Sequence, residues 1–264
     1  MRLDPVWPGL VLAGRTGRRI GVDVAEDCQD ITVHAASFDH RGGPVFYASL
    51  PCSTEIFKGH RTNGSGDKHR LISILWHHLV EMENPFCKRF HSSHRYAFPI
   101  HVVRGSLGRP HLLLGEYRGP AISFSEGGGN LWAALCGDRS DIGIDVAGTD
   151  EFQKDYPFHR VFNDQELQHA LRLAGGELAS ASALLWSIKE AVVKVLGCAF
   201  HLVDPLHINV YPSAAGGDGG YTFRVRLSRE ALMRFPIDAG PSIWVRSFPH
   251  VKMWLSITLL NWRP

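Results

Sequence analysis

Apolar residues recur along this chain with two periods, and the switches between them lay out its elements. ITVHAASF (31–38) and PVFYASL (44–50) alternate with period two around a DHRGG turn and predict a β-hairpin. Leu71, Ile72, Leu75, Leu79 and Val80 return at helical spacing and predict a helix over 67–82 with Asp67 as its N-cap. Pro85, Pro99 and paired serines make 84–101 a loop, after which HVVRG, HLLLG and AISFS are short strands. GIDVA then predicts a strand, and Asn163 or Asp164 opens a helix that Gly175 and Gly176 stop. ELASASALLWSIKEAVVKVLG (177–197) is the strongest helix, ended by Gly197. LHINVYP, YTFRVRL, SIWVRSF and KMWLSITLL alternate as four strands, the first two joined by SAAGGDGG.

Strands adjacent in sequence with no βαβ series predict an α+β fold with antiparallel sheets. IGVDVA (20–25) and IGIDVA (142–147) agree at five of six positions about 120 residues apart. A strand repeated in two halves points to duplication, hence two pseudo-symmetric subdomains, 1–139 and 140–264, each a small antiparallel sheet packed on a helix.

Composition places this among globular proteins: 264 residues, 44% hydrophobic and 20% charged, exclude a disordered or fibrous chain. No apolar run reaches membrane-span length, and Pro5 and Pro8 interrupt the N-terminal one, so neither a span nor a secretory leader is expected and the cytoplasm is the expected location. Cys28, Cys52, Cys87, Cys136 and Cys198 include no CxxC pair and read as small buried hydrophobes. The net charge of +2 hides an asymmetry: residues 58–118 hold ten Lys and Arg against four acids, and eight of the 15 His. That excess suits phosphate groups or an acidic protein surface, and reads also as a solvated basic face. Aromatics are not interleaved with it at stacking spacing, so no nucleic-acid partner is expected.

Helix 177–197 carries the candidate chemistry. Trp186, Glu190 and Lys194 stand at i, i+4 and i+8 and share one face. Glu190 and Lys194 read either as a surface pair worth about 0.2–0.5 kcal/mol or, with Lys189, as charges on an otherwise nearly uncharged helix that need a partner. Asp145 poses the same question mid-strand between Ile144 and Val146, where a buried carboxylate is costly. It is either a hydrogen-bonded structural Asp or, with Glu190, part of an oxygen-only site for Mg²⁺ that leaves positions open to substrate phosphates.

GRPHL (108–112), AISFSEGG (121–128), IGIDVA (142–147), FNDQEL (162–167) and WSIKEAVVKVLG (186–197), in this order and spacing, resemble the Sfp-type 4′-phosphopantetheinyl transferases. WxxKExxxK is the most specific of these motifs, and the likeness covers about residues 65–200. It implies a monomeric pseudo-dimer with coenzyme A in the cleft between its subdomains, and Mg²⁺-dependent transfer of phosphopantetheine to a serine of an acyl or peptidyl carrier protein, releasing adenosine 3′,5′-bisphosphate. By the same resemblance Asp145 and Glu190 hold Mg²⁺, Lys194 contacts the phosphates, and Arg70 binds the 3′-phosphate. Arg109 holds another phosphate oxygen, Ser123 lies beside the nucleotide, and Lys189 lines the same cleft. Glu190 also stands as an acceptor for the serine proton.

Three departures bear on this. Ala147 stands where many relatives have a second acid after the strand Asp, with Glu126 and Glu166 as candidate substitutes. Phe124 replaces a phosphate-contacting His. Residues 1–19, with Arg15, Arg18 and Arg19, diverge. Ala147 and Phe124 also motivate an alternative, a relative that binds coenzyme A or a carrier protein without chemistry.

Overall fold

In strand β6 (Asn130–Cys136), Leu131, Ala133 and Leu135 point to one side and Trp132, Ala134 and Cys136 to the other, and both rows are buried. A strand buried on both faces belongs inside a layered fold. The structure is a computed structural model that describes residues 31–38, 43–52, 65–82, 100–104, 109–115, 117–137, 140–152, 156–215, 219–234 and 243–260. The repeat strand 20–25, Arg15, Arg18, Arg19, Cys28, Cys87 and the loop expected over 84–101 lie outside those residues, except that Ile100 and His101 belong to a strand and not to the loop.

The first sheet runs β1 (His34–Ala36), β2 (Val45–Pro51), β6, β5 (Tyr117–Gly127), β4 (Pro110–Leu114) and β3 (Ile100–Arg104), in that spatial order. The second runs β7 (Asp141–Gly148), β11 (Met253–Leu260), β10 (Ile243–His250), β9 (Tyr221–Leu227) and β8 (Ile208–Ala215). Every pairing is antiparallel. The expected hairpin forms with Ala36 opposite Val45. The alternation rule passes over β6 because both its faces are apolar.

Helix α1 (Ser65–Glu81) covers the outer face of the first sheet, burying Leu71, Ile72, Leu75 and Leu79 against Phe46, Leu131, Ala133 and Leu135. It begins two residues before Asp67, which therefore sits in the first turn, where the helix dipole favours a carboxylate, and is not the N-cap. Helix α2 (Asp164–Leu173) is capped by Asn163 and followed by α3 (Leu178–Leu196), which closes at Gly197 with φ of 72°. A short helix α4 (Arg229–Arg234), absent from the expectations, follows β9.

Between the sheets, Val45, Tyr47, Trp132 and Ala134 meet Ile142, Ile144, Val146 and Leu255 in a second core. A third lies between the second sheet and α3. The layers are thus helix, sheet, sheet, helix, and each half is an antiparallel sheet with a helix on its outer face. No helix among the described residues is long and apolar enough to cross a membrane.

The two sheets also meet along strands. β4 pairs with β5 only as far as Ala121, and β7 is an edge of its own sheet. The hydroxyls of Ser123 and Ser125 on β5 accept the backbone N–H groups of Ile144 (3.1 Å) and Val146 (3.2 Å). Two buried edge donors that a neighbouring strand would otherwise satisfy are thus satisfied by side chains.

Candidate active site

Strand alternation sends Ile142, Ile144 and Val146 into the inter-sheet core and turns Gly143, Asp145 and Ala147 toward α3. Gly143 permits the close approach: a Cβ there would stand 2.1 Å from the Ala191 carbonyl oxygen, a backbone atom with no freedom to yield. Gly143→Ala is expected to destabilise the protein by about 3 kcal/mol through overpacking, read as a lower urea midpoint at unchanged slope. An unchanged midpoint would show that β7 and α3 can separate without loss.

Asp145 is 6% exposed, and its Oδ1 receives two donors. Ser125 Oγ donates at 2.9 Å and Lys194 Nζ at 2.7 Å. Lys194 Nζ also donates to the carbonyl oxygens of Ile144 (3.0 Å) and Phe124 (3.2 Å), which accounts for all three ammonium protons and ties α3 to both sheets. Lys194 therefore positions Asp145 while reaching the cavity described below.

Nearly all of α3 is buried, and from Ala181 to Gly197 only Trp186, Glu190 and Lys194 are partly exposed, so the face read from the sequence is the one that reaches solvent. Burial pushes the Glu190 carboxyl up to about 7, reinforced by the charges of Asp145 and Glu151 and opposed by Lys194. Glu151, in the helical turn Thr149–Glu151 after β7, accepts the Gly148 N–H at 2.7 Å. Sequence reasoning missed it; the acidic GTDE segment at the strand end was the available signal.

Lys189 does not line the cleft, which corrects the role carried over to it. It is fully buried on another side of α3, paired with Glu166. Its ammonium also donates to the carbonyl oxygens of Pro205 (2.8 Å) and Val161 (2.9 Å). Burial pulls its pKa down, and Glu166 and then Asp204 oppose the shift. Glu166 is thereby excluded as a substitute for an acid at position 147. Its Oε1 accepts the Asn163 N–H at 2.9 Å and its Oε2 the Val210 N–H at 3.1 Å, so it caps α2 and anchors β8. Glu126 is exposed on β5, 4.0 Å from Lys68.

Beside Asp145 opens a cavity of about 420 Å³ whose charged and titratable lining, among the described residues, is Lys68, His69, Arg104, Arg109, Lys194 and Cys198, with no acid among them. Ser123 and Phe124 form part of its wall. The α1 side chains in this wall are those of Lys68 and His69; Arg70 lies half-buried one residue further on. The Phe124 side chain has no hydrogen-bonding group, but its ring carries the Lys68 ammonium 5.8 Å from its centroid. Arg109 pairs with buried Asp141, which Arg118 also approaches at 3.7 Å. The Arg109 guanidinium crosses the end of α3 so closely that a Cβ on Gly197 would meet it at 2.6 Å. A cation suits the negative end of a helix dipole. Lys68, Arg104, Asp141 and Ser125 are residues that sequence reasoning did not single out. Burial raises the Cys198 thiol to about 11, against the pull of Arg109, which keeps it protonated at neutral pH.

A divalent cation fits the donor set. Once Glu190 is ionised, Asp145 and Glu190 set two negative charges against the single ammonium of Lys194, and no hydrogen bond among the described residues reaches Asp145 Oδ2. No group of three or more His, Cys, Asp or Glu gathers into a metal cluster among the described residues. Two carboxylates with open positions suit Mg²⁺, which is commonly shared with substrate phosphates.

Two antiparallel sheets with outer helices, and an acid-free basic cavity beside a strand Asp and a helix Glu, define the class of site. Residues 141–231, about a third of the chain, match the model of the 4′-phosphopantetheinyl transferase superfamily. The resemblance carried by the motifs therefore holds at the level of that superfamily. Among solved structures, the Helicobacter pylori holo-[acyl-carrier-protein] synthase in complex with coenzyme A is 18% identical at a TM-score of 0.36, over 46% of this chain and 99% of its own. The apo ACPS of Chronobacterium ammoniagenes is 19% identical at 0.39, over 47% and 98%. The coenzyme A complex of the latter is 19% identical at 0.37, over 48% and 100%. A comparison with curated proteins gives no match.

Proposed function

We propose that this protein transfers the 4′-phosphopantetheine group of coenzyme A to a serine of an acyl or peptidyl carrier protein, with Mg²⁺, releasing adenosine 3′,5′-bisphosphate. The observation that carries the reading is the acid-free cavity of Lys68, Arg104, Arg109 and Lys194 opening beside Asp145. Four cations in one cavity wall, with the acids that pair with Lys194, Arg109 and Lys68 set outside that wall, fit a polyanion such as the phosphates of coenzyme A. In the transfer the carrier serine Oγ bonds to the phosphorus that bears the pantetheine arm. The bond from that phosphorus to the oxygen bridging to the adenosine phosphate breaks, and the serine proton leaves to a base.

In this assignment Asp145 and Glu190 would hold the cation, which would supply charge neutralisation for the pyrophosphate. Lys194 and Arg109 face the same phosphates, and Ser123 lies beside the nucleotide. Glu190 Oε is the carboxylate available to the serine proton. Arg70, half-buried beside the cavity wall, is kept as the 3′-phosphate residue. The protein acts as a monomeric pseudo-dimer in the cytoplasm, with 1–139 as the basic, carrier-facing half and 140–264 as the catalytic half. Neither nucleic acid nor membrane takes part.

The test is intact-mass spectrometry of an apo carrier protein incubated with this protein, coenzyme A and Mg²⁺, with EDTA in a parallel sample. The expected result is a gain of one phosphopantetheine that EDTA abolishes. A carrier that binds yet gains no mass, across acyl and peptidyl classes, would overturn the catalytic reading in favour of a binding module.

A further inference from the structure

Asp145 belongs to the second sheet, yet one of its two donors comes from the first. Ser125, 7% exposed on β5, accepts the Val146 N–H at 3.2 Å and stands 2.9 Å from Asp145 Oδ1. A hydroxyl has one proton, and with a backbone donor aimed at its oxygen that proton is left to point at the carboxylate. Lys194 donates to the same oxygen at 2.7 Å. Both donors thus converge on Oδ1, and no hydrogen bond among the described residues reaches Oδ2.

Resting on the reading of Asp145 as a cation ligand, we infer that Ser125 is its positioning residue: the hydroxyl clamps Oδ1 together with Lys194 and presents Oδ2 as the ligating oxygen. A carboxylate on a strand Asp has rotational freedom about its last torsion, and a single ammonium fixes one oxygen without fixing the plane. A second donor from a different direction fixes both. Partners that orient a metal ligand commonly change metal affinity by about 10–100-fold when removed. Ser125 also joins the sheets, so orientation of Asp145 depends on how the two halves dock.

The neighbouring hydroxyls show that the arrangement is particular to position 125. Ser123 makes the equivalent bridge to the Ile144 N–H, but among the described residues its side chain makes no hydrogen bond beyond that backbone group. Ser256 lies across from Asp145 in register, yet its hydroxyl is engaged by Ser187 (2.7 Å) and Ser247 (2.8 Å).

The experiment titrates Mn²⁺, as the probe cation, into the full-length protein without coenzyme A and counts free ion by electron paramagnetic resonance. Wild type, Asp145→Asn, Ser125→Ala and Ser125→Thr are compared, with thermal melts of each to verify folding. Ser125→Ala is expected to weaken Mn²⁺ at least about ten-fold, and Ser125→Thr, which keeps the hydroxyl, to stay within about three-fold of wild type. Loss of binding in Asp145→Asn with wild-type affinity in Ser125→Ala would overturn the positioning role alone. Equal weakening by Ala and Thr would also overturn it, since a purely structural perturbation does not distinguish the hydroxyl. Mn²⁺ binding indifferent to Asp145→Asn would overturn the cation site, and this inference with it.

Discussion

Glu190→Gln is expected to lower the proposed phosphopantetheine transfer by about 10²–10⁴-fold, because the proposed function makes this carboxylate both a ligand of the cation and the acceptor of the serine proton. Gln has the same shape, so circular dichroism and the urea midpoint should report an intact fold. A rate within three-fold of wild type, measured by carrier mass against time, would remove Glu190 from the site. The substitution also has a signature independent of catalysis. Burial and the charges of Asp145 and Glu151 raise this carboxyl from 4.5 to about 7 in the folded chain. A group that holds its proton more tightly when folded gives stability that is whole below about 4.5 and is lost as pH rises through about 7. In EDTA, wild type is therefore expected to melt at lower temperature at pH 8 than at pH 5, with Glu190→Gln showing a smaller drop. Mg²⁺ should raise the melting temperature of wild type at pH 8 more than that of the variant. Identical pH profiles for the two proteins would contradict the burial argument.

Lys189→Ala is expected to cost about 3–5 kcal/mol of stability, because it strands the carboxylate of Glu166 inside the core. Lys189 and Glu166 are both almost fully buried, and the pair joins α3 to the cap of α2, to β8 and to the carbonyls of Val161 and Pro205. The double variant Lys189→Met with Glu166→Gln removes both charges and should recover part of the loss in urea unfolding. The affinity of the folded Lys189→Ala protein for coenzyme A, measured calorimetrically, should match wild type. Weakened coenzyme A binding at unchanged stability would reverse the assignment and return Lys189 to the cleft.

These two residues are neighbours in WSIKE, and they show where sequence reasoning ends. Helical spacing alone put Glu190 on one face with Trp186 and Lys194, and that face is the one reaching solvent. Lys189 reads in the sequence as a third charge of the same cluster, and its spacing does not identify what packs against it. Its partner, Glu166, comes from a helix 23 residues earlier in the chain. A charged residue in a motif of charged residues looks functional in sequence, whereas a lysine core bond depends on a contact that only folding makes. The substitutes weighed for Ala147 divide in the same way: Glu166 is consumed by Lys189 and two backbone amides, and the acid that acts on Glu190 after Asp145 is Glu151.

Period-two alternation and helical spacing by themselves determined the antiparallel α+β class, most strands, the three long helices and the mid-strand position of Asp145, because these follow from local geometry and from which positions must avoid water. The motif spacing carried the resemblance to the 4′-phosphopantetheinyl transferase superfamily, whose model matches residues 141–231. Only the tertiary structure decided how β7 comes to lie beside β5, that Ser125 and Lys194 converge on one oxygen of Asp145, that Lys68 and Arg104 join Arg109 around an acid-free cavity, and that β6 is a strand buried on both faces. Each of these is a meeting of segments distant in sequence. Such meetings are fixed by the packing of whole sheets and helices, a long-range outcome that no local period encodes.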